Sequence, residues 1–445
     1  MSKQFPNGFL WGTATASFQI EGYTTADGRS ESIWDRFCAT PGTIINGDTG
    51  DPACESYRRY PEDIALMREI GTNAYRFSIA WPRIIPTGDG AANPKGLDYY
   101  DRLVDALLAA GITPYVTLYH WDLPQALQDR GGWANRSIVD AFAHYTDVTV
   151  SRLGDRVKAW STLNEPWCTA FLGHLTGEHA PGLKDLKTAL QVAHNALVAH
   201  GAAVPIIRER CPDGEVGIVL NMEPVYPMMD TQADRHAAEW QRARFNLWFL
   251  DPLMGRGYPP NVLESYGDNA PKVQPGDMEI IAQPLDYLGL NYYSRRVMHD
   301  PAGGEGPILH QRDENNVSAR GWEVYPQGLY DLLIWLRQDY PQISKIVVTE
   351  NGTARDDVVA GDGQVHDPKR IEFMAQHFAQ ALRAIEDGVP LAGYFIWTLM
   401  DNFEWAFGTS SRFGLAYVDF NTQQRIMKDS GRWFGRVTRA NALVE

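Results

Sequence analysis

The chain has 445 residues, 44% hydrophobic and 21% charged, which is enough apolar sequence to bury a large core and excludes a disordered or fibrous class. Forty Lys and Arg against 55 Asp and Glu leave a formal charge of −15, a balance that repels nucleic acid and anionic membrane surfaces and argues against both as partners. The first residues carry no basic stretch followed by an apolar run, no apolar run approaches the ~18 residues that span a bilayer, and Cys38, Cys54, Cys168 and Cys211 lack metal-like or disulfide spacing, so a cytoplasmic protein with reduced thiols is expected.

Short β-rich runs recur along the chain at residues 9–14, 74–79, 113–120, 159–164, 216–221, 287–292, 345–349 and 394–398. Most are near-continuous apolar stretches, as expected of parallel strands buried on both faces. Helical periodicity fills the gaps. Leu97, Tyr100, Leu103, Val104, Leu107 and Leu108 share one face that ends at Gly111. Asp367-Pro368 reads as an N-cap and first helical position before Ile371, Met374, Phe378, Leu382 and Ile385. Eight strand–helix units imply a single (β/α)8 barrel, a TIM barrel, over residues 1–445. An open doubly wound sheet would carry a glycine-rich phosphate turn after its first strand, and Trp11-Gly12-Thr13-Ala14 has no such spacing. Polar, Gly/Pro-rich stretches at 86–96, 300–307 and 356–367 follow strands and are expected to wall a pocket at the barrel's C-terminal face.

Two glutamates end buried runs: Glu165 in Thr162-Leu163-Asn164-Glu165-Pro166 after the fourth strand, and Glu350 in Thr349-Glu350-Asn351-Gly352 after the seventh. An ionised carboxylate is costly in a core, so each should open into a polar cavity, and strands four and seven lie nearly across the ring. One such residue alone could equally cap a helix or pair with an arginine. Two facing each other suit glycosidic bond cleavage, in which one carboxylate attacks the anomeric carbon while a carboxylic acid protonates the departing oxygen. A separation of about 5–5.5 Å gives a covalent intermediate and retention; a wider one admits water and gives inversion.

These glutamates belong to an ordered series of motifs: residues 9–22 from Phe9-Leu10-Trp11-Gly12 to Gln19-Ile20-Glu21-Gly22, then Tyr75-Arg76-Phe77-Ser78, His120-Trp121, the Glu165 motif, Asn291-Tyr292-Tyr293, the Glu350 motif, and Glu404-Trp405. From Phe9 to near Trp433 the chain resembles glycoside hydrolase family 1. The resemblance implies an exo-acting, retaining β-glycosidase of the β-glucosidase type on a (β/α)8 barrel, without a metal or organic cofactor, taking a small β-glycoside or short oligosaccharide. It implies Glu165 as acid/base and Glu350 as nucleophile, with Arg76, Asn164, Asn291 and Tyr293 in support. Like charge and partial burial should keep Glu165 protonated until Glu350 is esterified, after which it can act as base.

The resemblance also assigns Gln19, His120, Trp121, Trp397, Glu404 and Trp405 to the bound sugar, with Trp397 as stacking platform and its bond to Thr398 expected cis as in relatives. Without it, His120 and Trp397 would read as core residues. Trp322 matches the aromatic beside the leaving group, and Trp167, Cys168, His179 and Phe413 are expected wall residues, Cys168 as a packing thiol. The chain departs from the family pattern at Tyr23, at Glu55-Ser56, at His174, expected at the entrance, and at Thr353. Rival readings are a 6-phospho-β-glycosidase, disfavoured because an acidic Glu404 would repel phosphate; a predominantly transglycosylating relative; and a catalytically inactive carbohydrate-binding relative, which would lack one carboxylate. The histidines show no His-x-His or His-Glu-x-x-His pattern of a metal-dependent hydrolase.

Overall fold

In the computed structural model, which describes residues 4–300, 308–309 and 316–444, eight parallel strands close into a barrel. They are β1 (Leu10–Ala14), β2 (Ala74–Ser78), β3 (Thr113–Tyr119), β4 (Ala159–Asn164), β5 (Glu215–Asn221), β6 (Tyr287–Asn291), β7 (Ile346–Asn351) and β8 (Leu391–Trp397). Each pairs with its neighbours in chain order, and β1 closes the ring with Ala14 beside Trp397. All residues of β2, β4, β6 and β7 are buried, the condition of parallel strands covered outside and filled within. These are the eight runs read from the sequence. The largest shift is at β8, which starts at Leu391 because Gly393 continues the strand: a Cβ there would lie 2.7 Å from that of Leu10 on β1, so the glycine marks a close approach rather than a break.

The barrel is packed beneath its mouth. β3 and β8 are not neighbours, yet the Tyr115 and Phe395 rings lie 5.1 Å apart, a contact that crosses the interior. Tyr287 joins them at 6.2 Å and meets Ser161 through its hydroxyl at 2.8 Å. Outside, helix Pro94–Ala109 buries Tyr100, Leu103, Val104 and Leu107 as its periodicity requires, with Leu97 half-buried, but Leu108, read onto the same face, is exposed at the edge of the stripe. Helix Pro368–Glu386 begins where expected, but the Asp367 carboxylate does not cap it; it accepts instead from Ser430 and Arg370, tying the helix start to the C-terminal helix.

Two sequence expectations are corrected. Helix Leu186–Arg210 is long and apolar enough to cross a membrane, although no such run was expected; its charges lie near its ends, and interspersed His and Asn residues hid it from an inspection for unbroken apolar runs. Its most apolar window is 78% buried within the protein, against helix Ile138–Leu153 among others. Segments 86–96 and 356–367 do not line the cleft. In the first, Asn93 caps helix Pro94–Ala109 and Asp89 pairs with Arg130; in the second, Asp357 accepts from Lys428 and Arg370, each at 2.6 Å. Gly/Pro-rich polarity marks a surface turn without saying which way it faces. Of 300–307, residues 301–307 lie outside the described residues.

The loop after β7 passes close to the end of β8: a Cβ on Gly352 would lie 1.9 Å from the Trp397 carbonyl oxygen. Gly352→Ala is expected to cost about 1–3 kcal/mol of stability, read as a lower melting temperature, and to reduce kcat/KM by displacing Glu350 against Trp397.

Candidate active site

Glu350 lies within β7 and Glu165 immediately follows β4; they are 3% and 6% exposed, and both line one cleft at the barrel mouth, about 1740 Å³ with its opening included. Arg76, carried on β2, donates from Nη1 to Glu350 Oε1 at 2.6 Å and from Nη2 to Asn164 Oδ1 at 2.7 Å. The Tyr293 hydroxyl donates to Glu350 Oε2 at 2.7 Å. Asn291, at the end of β6, donates to Asn164 Oδ1 at 3.2 Å and to Glu165 Oε1 at 2.6 Å, while Thr349 donates to Asn291 Oδ1 at 2.7 Å. A continuous chain of hydrogen bonds thus joins the two carboxyl groups through Arg76, Asn164 and Asn291.

The two ends of that chain differ electrostatically. Glu350 accepts from a guanidinium on one oxygen and from a phenol on the other. Burial first, then the Glu350 charge, pushes the Glu165 carboxyl up to about 8, against the bonds from Asn291 and Cys168 and the charge of Arg76. Burial and the neighbouring Glu350 likewise raise the Tyr293 phenol, which stays protonated and able to donate. One carboxylate beside one carboxylic acid is the state that acid-assisted nucleophilic displacement at an acetal carbon requires.

On one side of the pair, His120, Trp121, Trp397, Glu404 and Trp405 line the cleft. Gln19 stands behind them, with its amide N–H groups donating to Phe403 O at 2.9 Å and Asn402 Oδ1 at 3.1 Å. Because Asn164 Oδ1 accepts from Arg76, its Nδ2 must be the donor to His120 Nε2 at 3.0 Å; Nδ1 then carries the proton and has no protein partner. Gln19 Oε1 has none either. Burial, followed by the Arg76 charge, holds the His120 ring well below its usual range and therefore neutral. The Trp397 and His120 rings stack at 5.8 Å, and the Trp397–Thr398 peptide is cis, as expected. Glu165, Trp121 and Trp405 all have left-handed φ values, of 45°, 83° and 50°, a concentration of backbone strain at the site.

Burial pushes the Glu404 carboxyl up to about 7, with Arg320 opposing. It is therefore partly protonated near neutrality, a weaker repeller of phosphate than its sequence suggests but able to donate as well as accept. Arg320 itself, held down to about 10 by burial, was not singled out from the sequence.

Trp167, Cys168, Trp322 and Phe413 also line the cleft, whereas His179, expected with them, packs against Trp121 at 5.2 Å and Trp405 at 6.2 Å and so stands among the residues assigned to the bound sugar. Trp322 lies 5.4 Å from Tyr293 and 6.1 Å from Phe413. Two further expectations change here. Cys168 is more than a packing thiol, since its Sγ donates to Glu165 Oε2 at 3.0 Å. His174 does not reach the entrance: it is 1% exposed, its Nδ1 meets Thr169 O at 2.8 Å, and burial holds its ring down to about 4. The helix Cys168–Thr176 has the wide turn of a π-helix, which changes the face on which residue 174 falls. Glu178, Glu223, Phe245, Arg295 and Arg296 also line the cleft and were missed. Their paired charges, Arg295 with Glu323 and Arg296 with Glu223, leave no local motif. Among the described residues, no group of three or more His, Cys, Asp or Glu side chains is arranged to hold a metal ion.

Comparison with known proteins agrees with this geometry. The family model for glycosyl hydrolase family 1 matches residues 1–443. The chain is 51% identical to the 1,4-beta-D-glucan glucohydrolase of Thermotoga neapolitana, covering 100% of both chains, and 50% identical to beta-glucosidase A of Thermotoga maritima, covering 100% of this chain and 99% of the relative. Its structure superimposes on the Thermotoga maritima beta-glucosidase in complex with deoxynojirimycin with a TM-score of 0.96, at 49% identity, covering 99% of this chain and 100% of the other. The chain belongs to glycosyl hydrolase family 1 and is a glycoside hydrolase.

Proposed function

We propose that the chain is an exo-acting, retaining β-glucosidase that removes terminal non-reducing β-D-glucosyl residues from small glycosides and short oligosaccharides, with Glu350 as nucleophile and Glu165 as acid/base. The observation that carries this reading is the hydrogen-bond chain from Glu350 through Arg76, Asn164 and Asn291 to Glu165, which holds two carboxyl groups with unlike partners at one cleft.

In the first step Glu350 forms a bond to C1 while Glu165 passes its proton to the glycosidic oxygen and the C1–O bond breaks. Esterification removes the Glu350 charge, which lowers the proton affinity of Glu165 and frees it to take a proton from water. Water then attacks C1, the ester bond breaks, and two inversions leave the original configuration. Asn164, which shares Arg76 with Glu350, would bond the sugar 2-hydroxyl. The free His120 Nδ1–H and Gln19 Oε1 supply a donor and an acceptor for further hydroxyls, with Trp397 as the apolar platform. Trp405 is backed by Trp34 at 4.5 Å and Trp121 at 4.6 Å, a closed aromatic end that suits a terminal sugar rather than a passing chain. The substrate class agrees with relatives named beta-glucosidase and 1,4-beta-D-glucan glucohydrolase, and the 6-phosphosugar reading is not favoured.

With a panel of nitrophenyl glycosides, the β-glucoside is expected to be cleaved with the highest kcat/KM, and proton NMR should detect the β-anomer of glucose first. The α-anomer appearing first would overturn retention. Because the raised Glu165 group is active when protonated, kcat/KM should hold below its pKa and fall about tenfold per pH unit above about pH 8. A fall already complete by pH 6 would contradict the acid assignment.

A further inference from the structure

The hydrogen-bond chain fixes which oxygen of Glu165 can carry the proton. A guanidinium only donates, so Asn164 Oδ1, 2.7 Å from Arg76 Nη2, is an acceptor. The Asn291 group that meets the same oxygen at 3.2 Å is then its NH2 end, an orientation matched by Thr349, which donates to Asn291 Oδ1 at 2.7 Å. That NH2 also donates to Glu165 Oε1 at 2.6 Å. Oε1 accepts whatever the charge on Glu165. The proton of the acid form therefore belongs on Oε2.

The protein neighbour of Oε2 is the Cys168 thiol at 3.0 Å. Its place is set by the backbone, because Cys168 N donates to Glu165 O at 2.9 Å and opens the helix Cys168–Thr176. We propose that Cys168 is a positioning residue for the acid/base, holding Glu165 Oε2 toward the cleft as the oxygen that gives and takes the proton. This rests on the reading of Glu165 as acid/base. A thiol is a weak acceptor and a weak donor, so it serves both states of the carboxyl group without competing strongly with the substrate. In the first step the Oε2 proton passes to the glycosidic oxygen as C1–O breaks and Glu350 bonds to C1; the S–H then donates to the ionised Oε2. In the second step water gives a proton to Oε2 as its oxygen bonds to C1, and the Glu350 carboxylate departs. The sulfur forms no covalent bond. Glu350 on β7, Arg76 on β2 and Tyr293 beyond β6 also face Glu165, and Glu223 beyond β5, paired with Arg296, faces the thiol; all are retained when residue 168 alone is changed.

The test is the pH dependence of kcat/KM for one aryl β-glucoside with the parent enzyme, Cys168→Ala, Cys168→Ser and Glu165→Gln. Alanine removes a donor to the ionised form, so the basic limb should move up by about half a unit to one unit; serine supplies a stronger O–H donor and should move it the other way. Opposite shifts support the proposal. A basic limb unmoved in both variants, or moved in the same direction by both, while Glu165→Gln erases it, overturns the role of Cys168 and leaves Glu165 as acid/base. A basic limb that survives in Glu165→Gln overturns the acid/base reading itself.

Discussion

Two carboxyl groups buried at one cleft cannot both ionise cheaply, and their partners differ: Glu350 accepts from Arg76 and Tyr293, whereas Glu165 accepts from the Asn291 amide and the Cys168 thiol. The Arg76 guanidinium lies 2.6 Å from Glu350 and reaches Glu165 only through Asn164 and Asn291. Burial and the Glu350 charge push the Glu165 carboxyl up against the pull of Arg76, while the amide orientations that Arg76 imposes propagate to His120 on one branch and to Glu165 on the other. The barrel makes this arrangement possible. Arg76, Asn164, Asn291 and Glu350 come from β2, β4, β6 and β7; only β6 and β7 are neighbours, and closure of the sheet brings the other strand ends round the same mouth.

Above that ring the molecule divides its labour between rigid and variable parts. The sugar side is built on strand ends and the segments just after them, at His120-Trp121, Trp397 and Glu404-Trp405, with two left-handed residues held by aromatic packing. The remaining wall draws on more of the chain: Trp167 just after β4, Phe245 after β5, Trp322 after β6 and Phe413 after β8. Such a division lets the chemistry stay constant while the outer wall adapts to different leaving groups.

What the sequence disclosed follows the same line. The strands were legible because burial on both faces forces continuous apolar runs, and Glu165 and Glu350 because a carboxylate ending such a run has no bland environment. Arg320, Glu178 and Glu223 were not legible, since an isolated charge in a long loop looks alike whether it faces solvent or a cleft. The Cys168 contact was missed because a thiol without a partner base reads as packing; the turn that brings it to Glu165 closes by a Cys168 N–H to Glu165 carbonyl bond at 2.9 Å, where the π-helical stretch only begins. Segments 86–96 and 356–367 misled for the converse reason: their composition is that of a rim, but Asn93 and Asp357 anchor them elsewhere.

The claim on which all of this turns is that Glu350 attacks the sugar directly. Its most direct measurement is turnover of an activated aryl β-glucoside by Glu350→Gly with and without azide. The account predicts a loss of at least about a thousandfold in kcat, partial recovery on adding azide, and an α-glucosyl azide as the recovered product, because the small anion occupies the vacated position and inverts the centre once. Undiminished turnover without azide, or a β-configured azide product, would contradict it.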